Sequence, residues 1–311
     1  MSSDQNTSVD HVIVLIAAPG KAQVSDEVLA EVIPLLGLFH PELRWLDEEG
    51  RTAAEIAFTP PPSHFVPRSL EDRVRGRLMG QAIDVAVLPL GGRRKKLLIA
   101  DMDSTIIGQE CIDELAAHAG VGAEVAEVTE RAMRGELGFR EALKERLKTL
   151  KGVPEEAIAE VIAQRIRVND GARTLVRTMQ ANGAKAALVS GGFVPFARHV
   201  VREVGFDTFR ANELPVVDGR LSGEAAEPIL GKDAKLETLQ ALAREMGITA
   251  REVLAVGDGA NDAEMVKAAG LGVAWHAKPV LAQVADARIE HNDLTALLYL
   301  QGYRRDEFVN D

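Results

Sequence analysis

Three short apolar runs, each closed by a cluster of small or acidic residues, constrain this chain more than any other feature. Leu97-Leu98-Ile99-Ala100 runs into Asp101-Met102-Asp103-Ser104-Thr105. Ala186-Ala187-Leu188-Val189 runs into Ser190-Gly191-Gly192. Val253-Leu254-Ala255-Val256 runs into Gly257-Asp258-Gly259-Ala260-Asn261-Asp262. A short apolar run between polar flanks reads as a strand covered on both faces, as in a parallel sheet. Each run is followed by a helix-like segment. The pattern predicts an α/β fold: a Rossmann-like parallel sheet with helices on both faces. Open sheets of this kind build their sites at the C-terminal edge of the strands.

At such an edge, Asp101 and Asp103 can divide the work. One carboxylate can be ionised as a nucleophile while the other is protonated as an acid. The same pair would also serve in a turn or a helix cap, so its meaning depends on what joins it.

The rest of the chain falls into segments around these runs. Residues 1–10 are polar and read as a disordered tail. Residues 11–90 carry the order β-α-β-β-α-β. A strand at 11–17 precedes a helix at 25–36 with Ser25 as N-cap, and a hairpin at 43–46 and 53–58 turns through Glu49-Gly50. A helix at 70–79 and a strand at 83–88 follow. This order predicts a small ferredoxin-like α+β domain, and one of this size resembles ACT-type amino-acid-sensing modules. Gly91-Gly92 is the expected linker, and 95–311 the second domain. A long helical stretch, at about 112–168, interrupts it directly after the first strand and reads as a cap over the strand tips. Val216-Val217-Asp218-Gly219-Arg220-Leu221 carries the Asp-Gly hairpin signal.

Composition excludes several classes. A chain of 311 residues with 46% hydrophobic residues can bury a large core. Its formal net charge of −11 argues against a nucleic-acid surface. The single cysteine, Cys111, rules out an internal disulfide. The seven histidines show no metal-ligand spacing. No signal peptide or membrane span is visible, so a cytoplasmic protein without membrane or nucleic-acid partners is expected.

Taken together, the clusters support a family. The chain resembles the haloacid-dehalogenase-like phosphohydrolases over roughly residues 95–300. Asp101-Met102-Asp103-Ser104-Thr105 looks like the family's first motif. Ser190-Gly191-Gly192-Phe193 looks like the second, Lys235 stands where the third lysine is expected, and Gly257 to Asp262 looks like the fourth. Within the family, Gln109-Glu110-Cys111-Ile112-Asp113-Glu114-Leu115 resembles the signature of members that hydrolyse O-phospho-L-serine, the last step of serine biosynthesis.

That resemblance implies roles. Asp101 would be the nucleophile, forming an aspartyl phosphate, and Asp103 the acid and then the base. Asp101, the Asp103 carbonyl and Asp258 would hold one Mg²⁺, with Asn261 and Asp262 supporting them. Ser190, Gly191 and Lys235 would take the phosphate oxygens. Glu110 would meet the substrate ammonium, Arg146 its carboxylate, and Met133 and Phe139 would exclude water.

Other readings of the same residues stand beside these. Glu110 also suits an acid in a first helical turn. Arg140 and Lys148 lie near Arg146, and Lys232 lies three residues from Lys235. A phosphotransferase would use the same aspartyl phosphate, and an amino-acid-binding regulator could be built on the same fold. The N-terminal domain would serve as a serine sensor or as a dimerisation module, giving a homodimer.

Overall fold

The computed structural model describes residues 10–37, 42–60, 65–134 and 136–310, with the side chain of Met133 excepted. All but the last residue of the expected 1–10 tail lies outside the described residues.

The N-terminal part comprises β1 (His11–Ala17), α1 (Asp26–Val32), β2 (Glu42–Asp47), β3 (Ala53–Phe58), α2 (Pro67–Arg77) and β4 (Ile83–Pro89). Its strands form an antiparallel sheet in the order β2-β3-β1-β4, the ferredoxin-like arrangement expected from the pattern. The Ser25 hydroxyl caps α1, accepting from the Val28 N–H at 3.3 Å. Both faces of this sheet are covered. Ile13, Leu15 and Val85 pack with Val28, Val32, Leu70 and Val74 from α1 and α2. Val12, Val14, Ile16, Ala86 and Leu88 belong instead to the core shared with the rest of the chain.

The larger part begins with β5 (Leu97–Ala100). The helices α3 (Cys111–His118), α4 (Gly122–Met133), α5 (Phe139–Thr149) and α6 (Glu156–Arg165) are then inserted. The α/β alternation resumes with α7 (Ala172–Ala181), β6 (Lys185–Phe193), α8 (Val194–Val204) and β7 (Thr208–Asn212). A hairpin of β8 (Val216–Val217) and β9 (Arg220–Leu221) precedes α9 (Lys232–Glu245), β10 (Val253–Gly257) and α10 (Ala263–Ala268). The order closes with β11 (Leu271–Trp275), α11 (Pro279–Ala282), β12 (Ala287–Ile289) and α12 (Ala296–Leu300).

The second sheet has the order β12-β11-β10-β5-β6-β7 and is parallel throughout. The three motif strands are therefore neighbours. Ala100 stands opposite both Val256 and Leu188, so the three polar clusters leave the sheet at one level. One boundary differs from expectation: β6 runs through Ser190-Gly191-Gly192 to Phe193. Its register with β7 breaks after Val189 and resumes where Phe193 pairs with Asn212, and that break frees the Ser190-Gly191 backbone for other work. In the β8–β9 turn, Asp218 and Gly219 both adopt positive φ, at 51° and 72°, as a two-residue hairpin of this type requires. The hairpin pins the inserted helices from below, through Gly152 N–H to Leu221 C=O at 2.9 Å and Leu221 N–H to Val153 C=O at 2.8 Å. Among the described residues, no helix is long and apolar enough to cross a membrane.

Leu98 lies fully buried at the centre of the second sheet. Leu98→Ala should lower the unfolding free energy by about 2–5 kcal/mol through lost burial and an unfilled cavity. Urea denaturation checks this, and a loss under about 1 kcal/mol would place the core elsewhere.

Candidate active site

Asp101 follows the last residue of β5, its N–H bonded to the Val256 carbonyl at 3.0 Å. Its side chain is buried and lies 2.7 Å from the Lys235 ammonium. Lys235 also reaches Asp262 at 2.5 Å. Asp262 is held by the Gly259 N–H at 3.1 Å and packs so tightly on Gly257 that a Cβ there would fall 2.3 Å from its carboxyl carbon. The glycine of this motif is thus required by a close approach. Asp258 completes the group: carboxylate oxygens of Asp101, Asp258 and Asp262 lie within 4.8 Å of one another.

This charge balance is uneven, with three buried carboxylates facing one buried ammonium. Burial pushes the Asp101 carboxyl well above its usual range; Asp262 adds to the rise and Lys235 opposes it. Burial also raises Asp258, against the pull of Lys278 at 3.8 Å. Burial disfavours the Lys235 ammonium, but Asp101 and Asp262 outweigh it and hold its pKa above that of an ordinary lysine. Such a surplus of buried negative oxygen is the donor set of a hard divalent cation, which would favour the ionised carboxylates.

Asp103 points across the site. Its two oxygens accept from the Cys111 N–H at 2.9 Å and the Ser190 hydroxyl at 3.1 Å. The Ser190 oxygen in turn accepts from the Gly192 N–H at 2.8 Å. The loop between Asp101 and Cys111 is tightly wound, with Ser104 at φ 53°. The Ser104 hydroxyl donates to Glu110 at 2.8 Å. Glu110 is open to water on one side yet otherwise packed in protein beside Asp103. That burial, then Asp103, pushes its carboxyl up to about 7.

The inserted helices close over this group. The Phe139 ring lies above Gly191 and Gly231: a Cβ on either would stand 3.4 Å from it. It remains 42% exposed, so it covers the site as a flap and does not belong to a core. Arg140 and Lys144 pair with Glu227 on the opposite rim, at 3.3 and 3.1 Å. A groove of about 870 Å³, lined by Phe139, Arg140, Gly231, Lys232, Ala260 and Asn261, runs along this seam. Arg146 is half-buried, and its buried Nε has no hydrogen-bond partner among the described residues. Its charge acts on Asp113. Met133 closes α4, but its side chain lies outside the described residues.

The structure therefore brings Asp101, Asp103, Ser190, Lys235, Asp258 and Asp262 to one edge, with Glu110 beside them and Phe139 above Gly191. Lys232 is exposed at the rim, which separates it from buried Lys235. Sequence reasoning missed Asn212 and Asn169. The buried Asn212 amide donates to the Gly191 carbonyl at 2.8 Å and the Leu230 carbonyl at 3.2 Å, and accepts from the Leu230 N–H at 2.7 Å. It ties the end of β6 to the start of α9. Asn169 donates from its amide to the Thr105 carbonyl at 2.8 Å and from its N–H to Ile106 at 2.9 Å. Neither carries a local signal, because both act by reaching distant backbone.

The fold and the site define a phosphotransfer class of hydrolase, and comparison with known proteins agrees. The family model for haloacid dehalogenase-like hydrolases matches residues 98–267. The phosphoserine phosphatase of Archaeoglobus fulgidus is 46% identical over 230 residues, 72% of this chain and 67% of that protein. Phosphoserine phosphatase SerB2 of Mycobacterium tuberculosis is 38% identical over 299 residues, 96% of this chain and 72% of that protein. A crystal structure of a probable phosphoserine phosphatase from Vibrio cholerae superposes with a TM-score of 0.75 at 30% identity, covering 97% of this chain and 88% of that one. The chain belongs to the haloacid dehalogenase-like hydrolases and, within them, to the phosphoserine phosphatase group.

A Cβ on Gly192 would fall 2.6 Å from the Asp103 carboxylate. Gly192→Ala should displace that carboxylate and lower kcat roughly 100-fold, because small misplacements of a reacting group are costly. The fold should be little affected, since Gly192 does not need positive φ. Steady-state kinetics beside a thermal melt check both halves.

Proposed function

We propose that this chain hydrolyses O-phospho-L-serine to L-serine and phosphate through an aspartyl phosphate on Asp101, with one Mg²⁺. The convergence of Asp101, Asp103, Ser190 and Lys235 at a single strand edge carries this reading. An Asp101 oxygen attacks phosphorus in line, and the bond from phosphorus to the serine oxygen breaks. Asp103 protonates the departing oxygen, then takes a proton from the water that opens the acyl phosphate. Lys235, the Ser190 hydroxyl and the Gly191 N–H offset charge on the phosphoryl oxygens. Asp101, the Asp103 carbonyl and Asp258 would hold Mg²⁺, which when bound neutralises charge on the transferring group. Asn261 lies at the rim of the same loop, and Asp262 works mainly by fixing Lys235.

Selection of the amino acid falls to the inserted helices. The orphaned Arg146 Nε is a donor suited to a planar carboxylate. Glu110, ionised, would meet the substrate ammonium, and Phe139 would exclude water; the family resemblance gives Met133 the same task.

A steady-state survey of phosphorylated amino acids and sugars, with and without Mg²⁺, tests the substrate. Preferred Mg²⁺-dependent release from phosphoserine is expected; release from a generic ester but none from phosphoserine would refute it. Arg146→Ala should weaken phosphoserine turnover by about 2–5 kcal/mol, as for a buried charge left unpaired. p-Nitrophenyl phosphate, which has no carboxylate, should lose much less; equal losses would mean a folding defect.

Acidity gives a separate test. Glu110 titrates at about 7, raised above an ordinary glutamate, so its charge is present above that pH and lost below it. The ratio of kcat/KM for phosphoserine to that for p-nitrophenyl phosphate should fall as pH drops through neutrality. In Glu110→Gln the ratio should be low and flat.

A further inference from the structure

The N-terminal sheet reaches the catalytic loops through one buried carboxylate. Asp84, at the start of β4, is 1% exposed and accepts four hydrogen bonds from three consecutive residues. The Glu290 N–H reaches one oxygen at 2.8 Å; the His291 N–H, the Asn292 N–H and the Asn292 amide reach the other at 3.2, 3.2 and 2.9 Å. The Asn292 amide also donates to the carbonyl of Ile16 at 3.0 Å, and Ile16 pairs with Asp84 across β1 and β4. Hydrogen bonds to an ionised acceptor are about twice as strong as neutral ones, so this fan fixes segment 290–292 against the N-terminal sheet.

From that segment two branches lead to the site. In the first, the Asn292 carbonyl accepts from the Trp275 indole at 3.2 Å and lies 3.1 Å from the His276 ring. The His276 N–H is held by Ile289 at 2.8 Å, and two residues on the Lys278 N–H holds the carbonyl of Asp258 at 2.8 Å. In the second, the Leu294 N–H donates to Asp170 at 3.1 Å. Gly171 packs against Thr295 so closely that a Cβ would stand 2.6 Å from its nitrogen. The adjoining Asn169 carries the carbonyls of Thr105 and Ile106.

Each branch ends on a loop containing a strained residue. His276 and Ser104 are non-glycine residues at φ 44° and 53°. Such conformations persist only where the surroundings over-determine them, and the two branches supply those surroundings.

We infer that Asp84 is a positioning residue for the phosphatase reaction: through Asn292 it braces both the Asp101–Thr105 loop and the Asp258 loop. The N-terminal domain is then a structural part of the active site, whatever else it binds. This goes beyond the phosphoserine reading, since it requires only that Asp101 and Asp258 serve one centre.

The test uses the full chain. Asp84→Asn keeps the shape but turns an NH₂ toward backbone donors. It should lower kcat about tenfold for phosphoserine and p-nitrophenyl phosphate alike, since the reacting groups are displaced and the amino-acid contacts are not. In the free protein, without substrate or metal, amide exchange at Ile107 and Asn169 should quicken about tenfold. Arg75→Gln is the control. It loosens the same interface by removing contacts to Glu71, Glu290 and the carbonyls of Val85 and Arg288. It should lower the melting temperature comparably while leaving kcat and loop exchange near the parent's values. Should Asp84→Asn fail to fold, Asn292→Ala, which leaves three of the four bonds to Asp84, is read the same way. Parent-like kcat and exchange in the Asp84 or Asn292 variant, or equal losses in the control, would overturn the inference.

Discussion

The buried ammonium of Lys235, set between Asp101 and Asp262, is the interaction on which the rest of the structure depends. Burial disfavours a charged lysine unless opposite charge offsets it, and two carboxylates do so here at 2.7 and 2.5 Å. The pair fixes the start of α9 against the tips of β5 and β10. It also sets the electrostatic character of the site, because one positive charge faces three carboxylates. The negative surplus disfavours the ionised form of Asp101 until further positive charge arrives, which couples the nucleophile's readiness to cation binding.

The remaining parts serve that centre at increasing distance. Ser190 and the Cys111 N–H aim the Asp103 carboxylate, and Asn212 ties the Gly191 backbone to the loop before α9. The inserted helices are fastened on one side by backbone bonds to the β8–β9 hairpin, and over the site by Arg140 and Lys144 on Glu227 and by the Phe139 ring against Gly191 and Gly231. Those ion pairs are exposed to solvent and individually weak, which suits a flap that must admit substrate and release product. The N-terminal sheet, by contrast, is joined by buried apolar packing and by the Asp84 fan, a contact suited to bracing and unsuited to opening.

Much of this was legible in the chain because the active-site edge is built from local signals. Apolar runs predict strands, and acidic or glycine-rich clusters predict their polar tips. The parallel register then does the assembly by placing β5 between β10 and β6. What was not legible is long-range or orientational. Lys232 and Lys235 are three residues apart on one helix, so spacing could not separate them; burial does. The apolar run ends at Val189, four residues before the end of β6 at Phe193, because the small residues 190–192 that break the register read as a strand end. Arg146 rests on resemblance among several nearby cations; its buried Nε has no hydrogen-bond partner among the described residues, while Arg140 pairs with Glu227. One signal went unused. Val12 to Ala17 is a continuous apolar run where a strand with one solvated face should alternate, and it reports the second packing face of the N-terminal sheet.

The account stands on Asp101 carrying the phosphoryl group. Rapid acid quenching with ³²P-labelled phosphoserine detects the phospho-enzyme; tritiated borohydride, which expels the phosphate and turns the phosphorylated aspartate into tritiated homoserine, then locates it by peptide mapping. The expected result is acid-trapped ³²P, formed and lost at rates compatible with turnover, and tritium on a single residue, position 101. Label on a serine hydroxyl such as Ser190, or no trapped phospho-enzyme together with inversion of configuration at phosphorus, the mark of a single direct displacement by water, would contradict it.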